Sequence, residues 1–367
     1  MKVVKEAGDA SIWCEEGRES EVGRACRASV IMSTYNLERL VPLSVRSALA
    51  QDYADYEVVI VDDGSADASW EKTVETVRTF KGFKGVRVKC LRHAKNLGIP
   101  ATFNRLMDES RGELCVWHCG DDVAHLDRVS KIVRCWDAAK AEHPDLVSAT
   151  TDANRVGELE ARDFVGAVEL PKWTVHSAQE VFEQRIPLLG ATAVYSREQY
   201  EFFGPINPAA QAEDSTMHLR TKMRGSFLSI HEPLLEYRCV GGRSTSYWRT
   251  TLKSMRKWVA LFHCTYLQAL KDLEKCRGEM TAERYAQYED HFSWMAHRYD
   301  VWQRMMSDSW RERLAALKEW MGIVKREKSA IAKVIFVLPH WMVDCLCWTH
   351  CCLGNVRRWI LTGIGKG

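Results

Sequence analysis

From residue 28 onward the chain repeats one rhythm: a short apolar run, a polar cluster, then a stretch with helical spacing. The apolar runs are 28–32, 57–61, 86–91, 113–119 and 146–150. Between them, 40–50 carries Leu40, Leu43, Ser47 and Ala48 at helical intervals, and 67–80 carries Trp70, Val74 and Val77 on one face. Stretch 99–109 is led in by Gly98 and Pro100, and 126–141 completes the series. Short apolar strands alternating with helices of about 10–15 residues predict βαβ units and a mostly parallel sheet flanked by helices. Open sheets of this kind bind ligands beyond the carboxyl ends of their strands. The polar clusters 33–36, 62–65 and 120–122 all fall at that edge, which points to one shared site.

Past residue 150 the pattern loosens. Segment 154–167 reads as a long loop or hairpin. Helices are expected over 177–186, 197–203 and 214–223, and strands over 190–196, 227–230 and 234–237. From 247 to 328 there is no Pro and much Lys, Arg, Glu, Met and Trp, which predicts two or three long helices. The expected organisation is therefore a loosely ordered lead-in (1–27), a main α/β domain (28–245) and a helical C-terminal extension with an apolar tail (246–367).

Composition narrows the function. The 367 residues hold 51 Lys plus Arg against 49 Asp plus Glu, a balance that gives no footprint for nucleic acid. The 14 Trp suit sugar faces but suit core and interface packing better. The opening residues lack the apolar run of a signal peptide, so a cytoplasmic location is expected, with the 13 cysteines reduced and mostly serving as small buried hydrophobes.

Three constellations carry chemistry. Gly120-Asp121-Asp122 ends a strand with two adjacent carboxylates. Their repulsion grows on burial, and a hard cation such as Mg²⁺ or Mn²⁺ relieves it while bridging diphosphate oxygens. Asp62-Asp63-Gly64-Ser65 offers a buried acceptor for the imide N–H of uracil or thymine, with Asp67 left to cap the next helix. Glu213-Asp214 opens a helix, where the macrodipole favours a carboxylate able to take a proton. Taken alone, 120–122 and 213–214 read better as ordinary acidic turns, and 62–65 can cap a helix while facing a ligand; their shared edge is what favours a site.

These residues, with Ser33-Thr34-Tyr35-Asn36, the exit Leu49-Ala50-Gln51-Asp52-Tyr53, Asn96-Leu97-Gly98 and Asn104, stand in the order and spacing of family 2 glycosyltransferases. Over about 28–240 the chain resembles that family. The resemblance implies a GT-A fold and a nucleotide-sugar donor, UDP-, GDP- or dTDP-linked. Ser33, Tyr35 and Asp63 would line the nucleoside pocket with Asp62 nearby, Asp121 would sit at the ribose and diphosphate, Asp122 would ligate a divalent metal (Mg or Mn), and Asp214 would be the catalytic base. It further implies that 190–192 lines the acceptor side, that 234–238 closes the domain, and that Arg243 reaches the diphosphate. The chain departs from the family in four places. Cys119 stands where many members have another Asp, Ser33 where Pro is common, Phe103 where Arg is common, and 239–243 where a His often follows the last strand.

The tail 334–353 is the most apolar stretch. Asp344 near its middle disfavours a membrane span, while Lys325, Arg326, Lys328, Lys333, Arg357 and Arg358 around it fit a segment lying in a membrane interface. Such a peripheral contact would suit a lipid-linked saccharide acceptor; packing on the protein itself or on a partner subunit fits equally. Cys345, Cys347, Cys351, Cys352 and His350 lack the spacing of common zinc modules. The expected function is an inverting, metal-dependent glycosyl transfer to a glycan or lipid-linked saccharide in cell-surface polysaccharide synthesis. The alternatives are a non-catalytic nucleotide-sugar-binding scaffold and a nucleotidyltransferase. The second is disfavoured because 33–38 contains no Gly for a phosphate loop.

Overall fold

The computed structural model describes residues 2–6, 9–15, 26–81, 86–156, 172–184, 186, 188–238 and 252–327. The described residues divide into two compact units. The first comprises Met1–Pro208, Ala212–Cys239 and Asp272–Met280; the second comprises Ala209–Gln211, Val240–Lys271 and Thr281–Gly367.

The first unit is built on one eleven-stranded sheet. Its strands are β1 (Lys2–Glu6), β2 (Asp9–Glu15), β3 (Ala28–Thr34), β4 (Tyr56–Asp62), β5 (Arg87–Arg92), β6 (Leu114–Cys119), β7 (Val123–Ala124), β8 (Leu146–Val156), β9 (Trp173–His176), β10 (Val194–Ser196) and β11 (Ser226–Arg238). They lie in the order β1-β2-β5-β4-β3-β6-β10-β8-β11-β7, with β9 also on β11. Helices α1 (Val41–Leu49), α2 (Ser69–Thr79), α3 (Ile99–Glu109), α4 (Arg128–Glu142), α5 (Ala178–Glu183), α6 (Arg197–Phe203) and α7 (Glu213–Arg224) connect them.

The parallel core expected from the rhythm is β5-β4-β3-β6. Successive residues of these strands face opposite sides. Val30, Met32, Val58 and Ile60 pack with Val45 of α1, Trp70 of α2 and Ile132 of α4. Ile31, Val59 and Val61 pack with Phe103 of α3, Tyr200 of α6 and Met217 of α7. Burial on both faces is why these strands read as continuous apolar runs rather than alternating ones.

The sheet departs from the mostly parallel expectation outside that core. The short β10 enters antiparallel between β6 and β8, and β7 and β9 run antiparallel to β11, so the sheet is mixed. The expected strands 227–230 and 234–237 are a single β11, paired parallel to β8 with register shifts around Pro233. Pro has no N–H to give the ladder, which is why its neighbourhood reads as a break. The expected strand 190–196 is a 3₁₀ turn, Gly190–Thr192, followed by β10. The lead-in is also different: β1 and β2 form a hairpin whose second strand covers the edge of β5. An exposed parallel edge invites pairing, and Asp9–Glu15 pairs antiparallel along that edge.

The second unit holds most of α8 (Leu252–Lys275), whose last turn belongs to the first unit, together with α9 (Ala282–Met305) and α10 (Trp310–Glu327). An aromatic ladder joins α8 to α9: Phe262 and Tyr266 stack on Tyr299 at 5.4 and 5.7 Å. Trp302 continues it to Trp320 of α10 at 6.1 Å. Much of the high Trp count thus serves packing. Among the described residues no helix is long and apolar enough to cross a membrane, and the cysteines recorded there are free thiols. Arg243, the apolar tail and its Cys/His cluster lie outside the described residues.

Candidate active site

The C-terminal edge of the parallel core gathers three loops, and buried hydrogen bonds set each one. After β3 the chain turns through Asn36 at a positive φ of 52°. Asn can occupy that region because its short side chain bonds locally; here its Oδ1 accepts from Ala66 N at 2.8 Å, while its own N–H donates to Ser65 Oγ at 2.9 Å. Leu37 N donates to Ser69 Oγ, and Glu38 N to Asp67 Oδ2. The loops after β3 and β4 therefore hold each other. Asp67 also accepts from Ser69 N at 3.0 Å, but the N-cap of α2 is Ala68 and no side chain caps it, so the expected capping part is not taken by Asp67.

Ser33 and Tyr35 lie on the first loop. Ser33 is half-buried, and its carbonyl accepts from Gly120 N at 2.8 Å, tying it to the acidic turn. Tyr35 is exposed. Asp62 is fully buried, and both its oxygens are taken by Ser65, through N–H at 2.9 Å and Oγ at 2.6 Å. Burial raises its carboxyl, and the Ser65 hydrogen bonds oppose that. Asp62 thus braces the turn, with Arg92 Nε 3.6 Å from its Oδ1. Asp63, also buried, accepts from Leu97 N at 2.8 Å, Gly98 N at 2.9 Å and His93 Nδ1 at 2.9 Å. A carboxylate has about four acceptor positions, so one is left. Gly64 lets this happen: its φ is +69°, and a Cβ there would lie 2.5 Å from the Lys95 carbonyl carbon.

The acidic turn ends β6. Asp122 N closes it on the Cys119 carbonyl at 3.1 Å. Asp122 is fully buried; its Oδ1 accepts from Arg238 N at 2.9 Å, and its Oδ2 has no hydrogen-bond partner. Arg238 Nη1 also reaches the Asp121 carbonyl at 3.3 Å. Ligand atoms of Cys119, Asp121 and Asp122 lie within 4.8 Å of one another. Burial, then the Asp121 charge, raises the Asp122 carboxyl to about 8, against the Arg238 N–H and the nearby guanidinium charges of Arg128 and Arg238. An orphaned buried carboxylate oxygen beside a second carboxylate is what a hard divalent cation satisfies. The residues present therefore fit a Mg²⁺ or Mn²⁺ ion through Asp121 and Asp122. Burial holds the Cys119 thiol well above its usual range, so it stays protonated beside them.

Asp214 sits in the first turn of α7, partly open to solvent. Its Oδ1 accepts from Ser215 N at 2.6 Å and Ser215 Oγ at 3.1 Å. Burial raises its carboxyl and these two bonds oppose the shift. Its Oδ2 faces Gly190 so closely that a Cβ there would be 2.5 Å away. The adjoining Ala191 and Leu189 pack on a small cluster that includes Cys119. The Gly190–Thr192 turn thus brings Asp214 beside the acidic turn, two positions about 90 residues apart in the chain.

Two residues already quoted for the family resemblance, Gln51 and Asn104, take parts that the sequence did not assign, and others carried little signal. Gln51 in the 49–53 stretch bonds His125 O and Val129 N, pinning the segment after the acidic pair. Asn104 clamps both backbone groups of Ile206 at 2.7 and 2.9 Å. His93, Ser44, His118 and Arg128 carried one usable signal: His118 is a polar residue near the end of an otherwise apolar strand.

A parallel core with an acidic pair at one strand end and a helix-opening carboxylate beside it has the architecture of a GT-A-type domain. Residues 29–201 match the model of Glycosyl transferase family 2, and this part of the chain is a family 2 glycosyltransferase domain. EpsE of Bacillus subtilis (strain 168), which bears a glycosyltransferase name, is 29% identical over 107 residues, 29% of this chain and 37% of EpsE. WfgD of Escherichia coli, named as a UDP-Glc:alpha-D-GlcNAc-diphosphoundecaprenol beta-1,3-glucosyltransferase, is 30% identical over 95 residues, 26% of this chain and 35% of WfgD. The matches thus span little more than a third of these relatives. The crystal structure of S. aureus TarS 1-349 in complex with UDP-GlcNAc superposes with a TM-score of 0.54 at 16% identity, covering 78% of this chain and 77% of that one. At that identity the likeness is one of fold.

Proposed function

We propose that the protein is an inverting, metal-dependent glycosyltransferase, with 28–245 as the transferase domain and 246–367 as a helical extension. One observation carries the reading: the buried, unpartnered Asp122 Oδ2 next to Asp121, at the strand edge that also holds Asp214. In this reading Asp214 takes the proton of an acceptor hydroxyl as that oxygen bonds to the anomeric carbon of the donor sugar. The bond from that carbon to the diphosphate oxygen breaks on the opposite side, its electron pair leaving with the diphosphate, so the configuration inverts. Asp121 and Asp122 would hold the Mg²⁺ or Mn²⁺, which when bound supplies Lewis-acid stabilisation of the leaving diphosphate. The remaining acceptor position of Asp63 suits the imide N–H of a base, and the exposed Tyr35 ring offers a face for it.

The family resemblance implies UDP, GDP or dTDP sugars as donors, and an acceptor for an imide N–H suits uracil or thymine among their bases. The names of TarS-bound UDP-GlcNAc and of WfgD favour a UDP sugar and a lipid-linked saccharide acceptor of cell-envelope polysaccharide synthesis. A thermal-shift screen of UDP, GDP, dTDP and CMP sugars, with and without Mn²⁺, tests the reading. A donor at 100 times its Kd stabilises by about 2.7 kcal/mol. One nucleotide class giving a Mn²⁺-dependent shift is the expected result. No shift with any donor sinks the transferase and the nucleotide-sugar-binding scaffold alike, whereas a shift without sugar transfer favours the scaffold.

Gly190→Ala tests the placement of the base. A methyl group 2.5 Å from Asp214 Oδ2 must displace the carboxylate or the turn. A misplacement near 1 Å lowers turnover by roughly 10²-fold, so kcat should fall by that order with donor affinity kept. Unchanged kcat would place the base elsewhere.

A lipid-linked acceptor also implies peripheral contact with the inner face of a membrane. Trp310, Arg311, Leu314 and Lys318 share an exposed face of α10, an aromatic, aliphatic and basic mixture suited to an anionic interface. The apolar, base-flanked stretch 334–353 follows it in sequence. The full chain should co-sediment with phosphatidylglycerol vesicles and be released by high salt, and Trp310→Ala with Leu314→Ala should weaken it. Recovery wholly in the supernatant would remove the membrane from this picture.

A further inference from the structure

Ser44 of α1, His118 of β6 and Arg128 of α4 form a buried line of hydrogen bonds beneath the acidic turn, none more than 1% exposed. Arg128 Nη1 lies 3.2 Å from His118 Nδ1. A guanidinium only donates, so Nδ1 accepts and the imidazole proton sits on Nε2. Nε2–H then donates to Ser44 Oγ at 2.9 Å. The Ser44 hydroxyl, having accepted, donates its own proton to the Cys119 carbonyl at 2.9 Å. That carbonyl is the acceptor that closes the 119–122 turn. One fact about guanidinium chemistry therefore directs every bond of the chain.

Arg128 extends the line to the other side. Its Nη2 donates to Trp117 O at 2.9 Å and reaches Ala191 O at 3.5 Å, in the 3₁₀ turn that presses on Asp214. The relay thus runs from the helix following the 33–36 loop, under the acidic turn, to the turn beside the base. Burial and then the Arg128 charge push His118 down to about 3, so it stays neutral at working pH. The rest of β6 is apolar, and burying a guanidinium against neutral acceptors is costly compared with a hydrophobic filler. Its charge is instead spent on Asp122, which it helps to ionise.

We infer that Ser44, His118 and Arg128 are positioning residues that fix the acidic turn against the turn beside Asp214, and that Ser44, through the Cys119 carbonyl, sets the affinity of the acidic turn for its cation. The inference rests on the cation reading above. It concerns residues that touch neither donor nor acceptor, and outer-shell partners of this kind typically change metal affinity by about 10–100-fold.

The test is Mn²⁺ binding to the full chain by electron paramagnetic resonance, at saturating UDP, with the thermal midpoint measured separately without metal. Ser44→Ala deletes the link with little change of volume and should raise the Mn²⁺ Kd about 10-fold while the metal-free protein stays folded at assay temperature. His118→Gln keeps one acceptor and one donor in the same order, so it should bind Mn²⁺ close to wild type. An unchanged Kd in Ser44→Ala overturns the inference. So does weaker binding that only tracks the fraction unfolded, since the role would then be structural. A wild type that takes up no Mn²⁺ overturns the cation reading, and this inference with it; uptake by wild type and Ser44→Ala alike overturns this inference alone.

Discussion

Asp214→Asn will lower the rate of transfer by about 10²–10⁴-fold, the range of a lost general base, and leave donor and cation bound. The substitution is nearly isosteric. Asn Oδ1 still accepts from Ser215 N and Oγ, so the first turn of α7 keeps its shape. Only the proton acceptor disappears. The pH profile gives an independent reading. A base must be ionised, so activity falls as pH drops through the Asp214 pKa. Burial raises that pKa, so the acid limb should lie above the ordinary carboxylate range, and it should vanish from the residual rate of Asp214→Asn. Stability moves the other way. A carboxylate with a raised folded pKa costs stability once pH exceeds its unfolded value. At neutral pH, Asp214→Asn should melt no lower than wild type. A lower melting point together with low activity would mean that the residue is structural, and a retained rate would send the search for the base elsewhere.

Asp122→Asn will abolish the Mn²⁺-dependent part of the donor stabilisation, whose total is about 2.7 kcal/mol at 100 times the Kd, and reduce transfer to background. Asn Oδ1 can keep the bond from Arg238 N. The orphaned Oδ2 becomes an amide nitrogen, which cannot ligate a cation. The fold should survive, because Asn adds no charge at a site where burial already raises the carboxyl to about 8. A Mn²⁺-dependent shift that persists in this variant would remove Asp122 from the cation site. The two substitutions separate by readout: Asp122→Asn loses the cation-dependent shift, whereas Asp214→Asn keeps it and loses turnover.

How much of this was legible beforehand can be judged from particular elements. The parallel core could be read because its strands are buried on both faces and its helices on one, so both carry their burial in their own periodicity. Helix α6 appears at its expected bounds because Ser196 caps it and Gly204, at a φ of +75°, ends it. The antiparallel β10 and the β1–β2 hairpin were not legible. A three-residue strand has too few positions to show a period, and an edge strand takes its shape from the edge it covers.

The candidate site divides along the same line. The chain by itself determined which carboxylates gather at the sheet edge, because strand ends in a parallel core all point the same way. It also supplied the residue types that the proposed function uses: a paired acid for a cation and a helix-opening acid for a proton. Only the tertiary structure decided what each acid is free to do. Asp62 and Asp63 look alike in sequence, yet Ser65 occupies both oxygens of the first while backbone N–H groups and His93 leave the second one acceptor position. Asp122 is set apart by a missing partner, and Asp214 by the bare Gly190 against it. Hydrogen bonds form between groups that the chain order separates by tens of residues, and which lone pairs they occupy is a property of three-dimensional packing that no local pattern encodes.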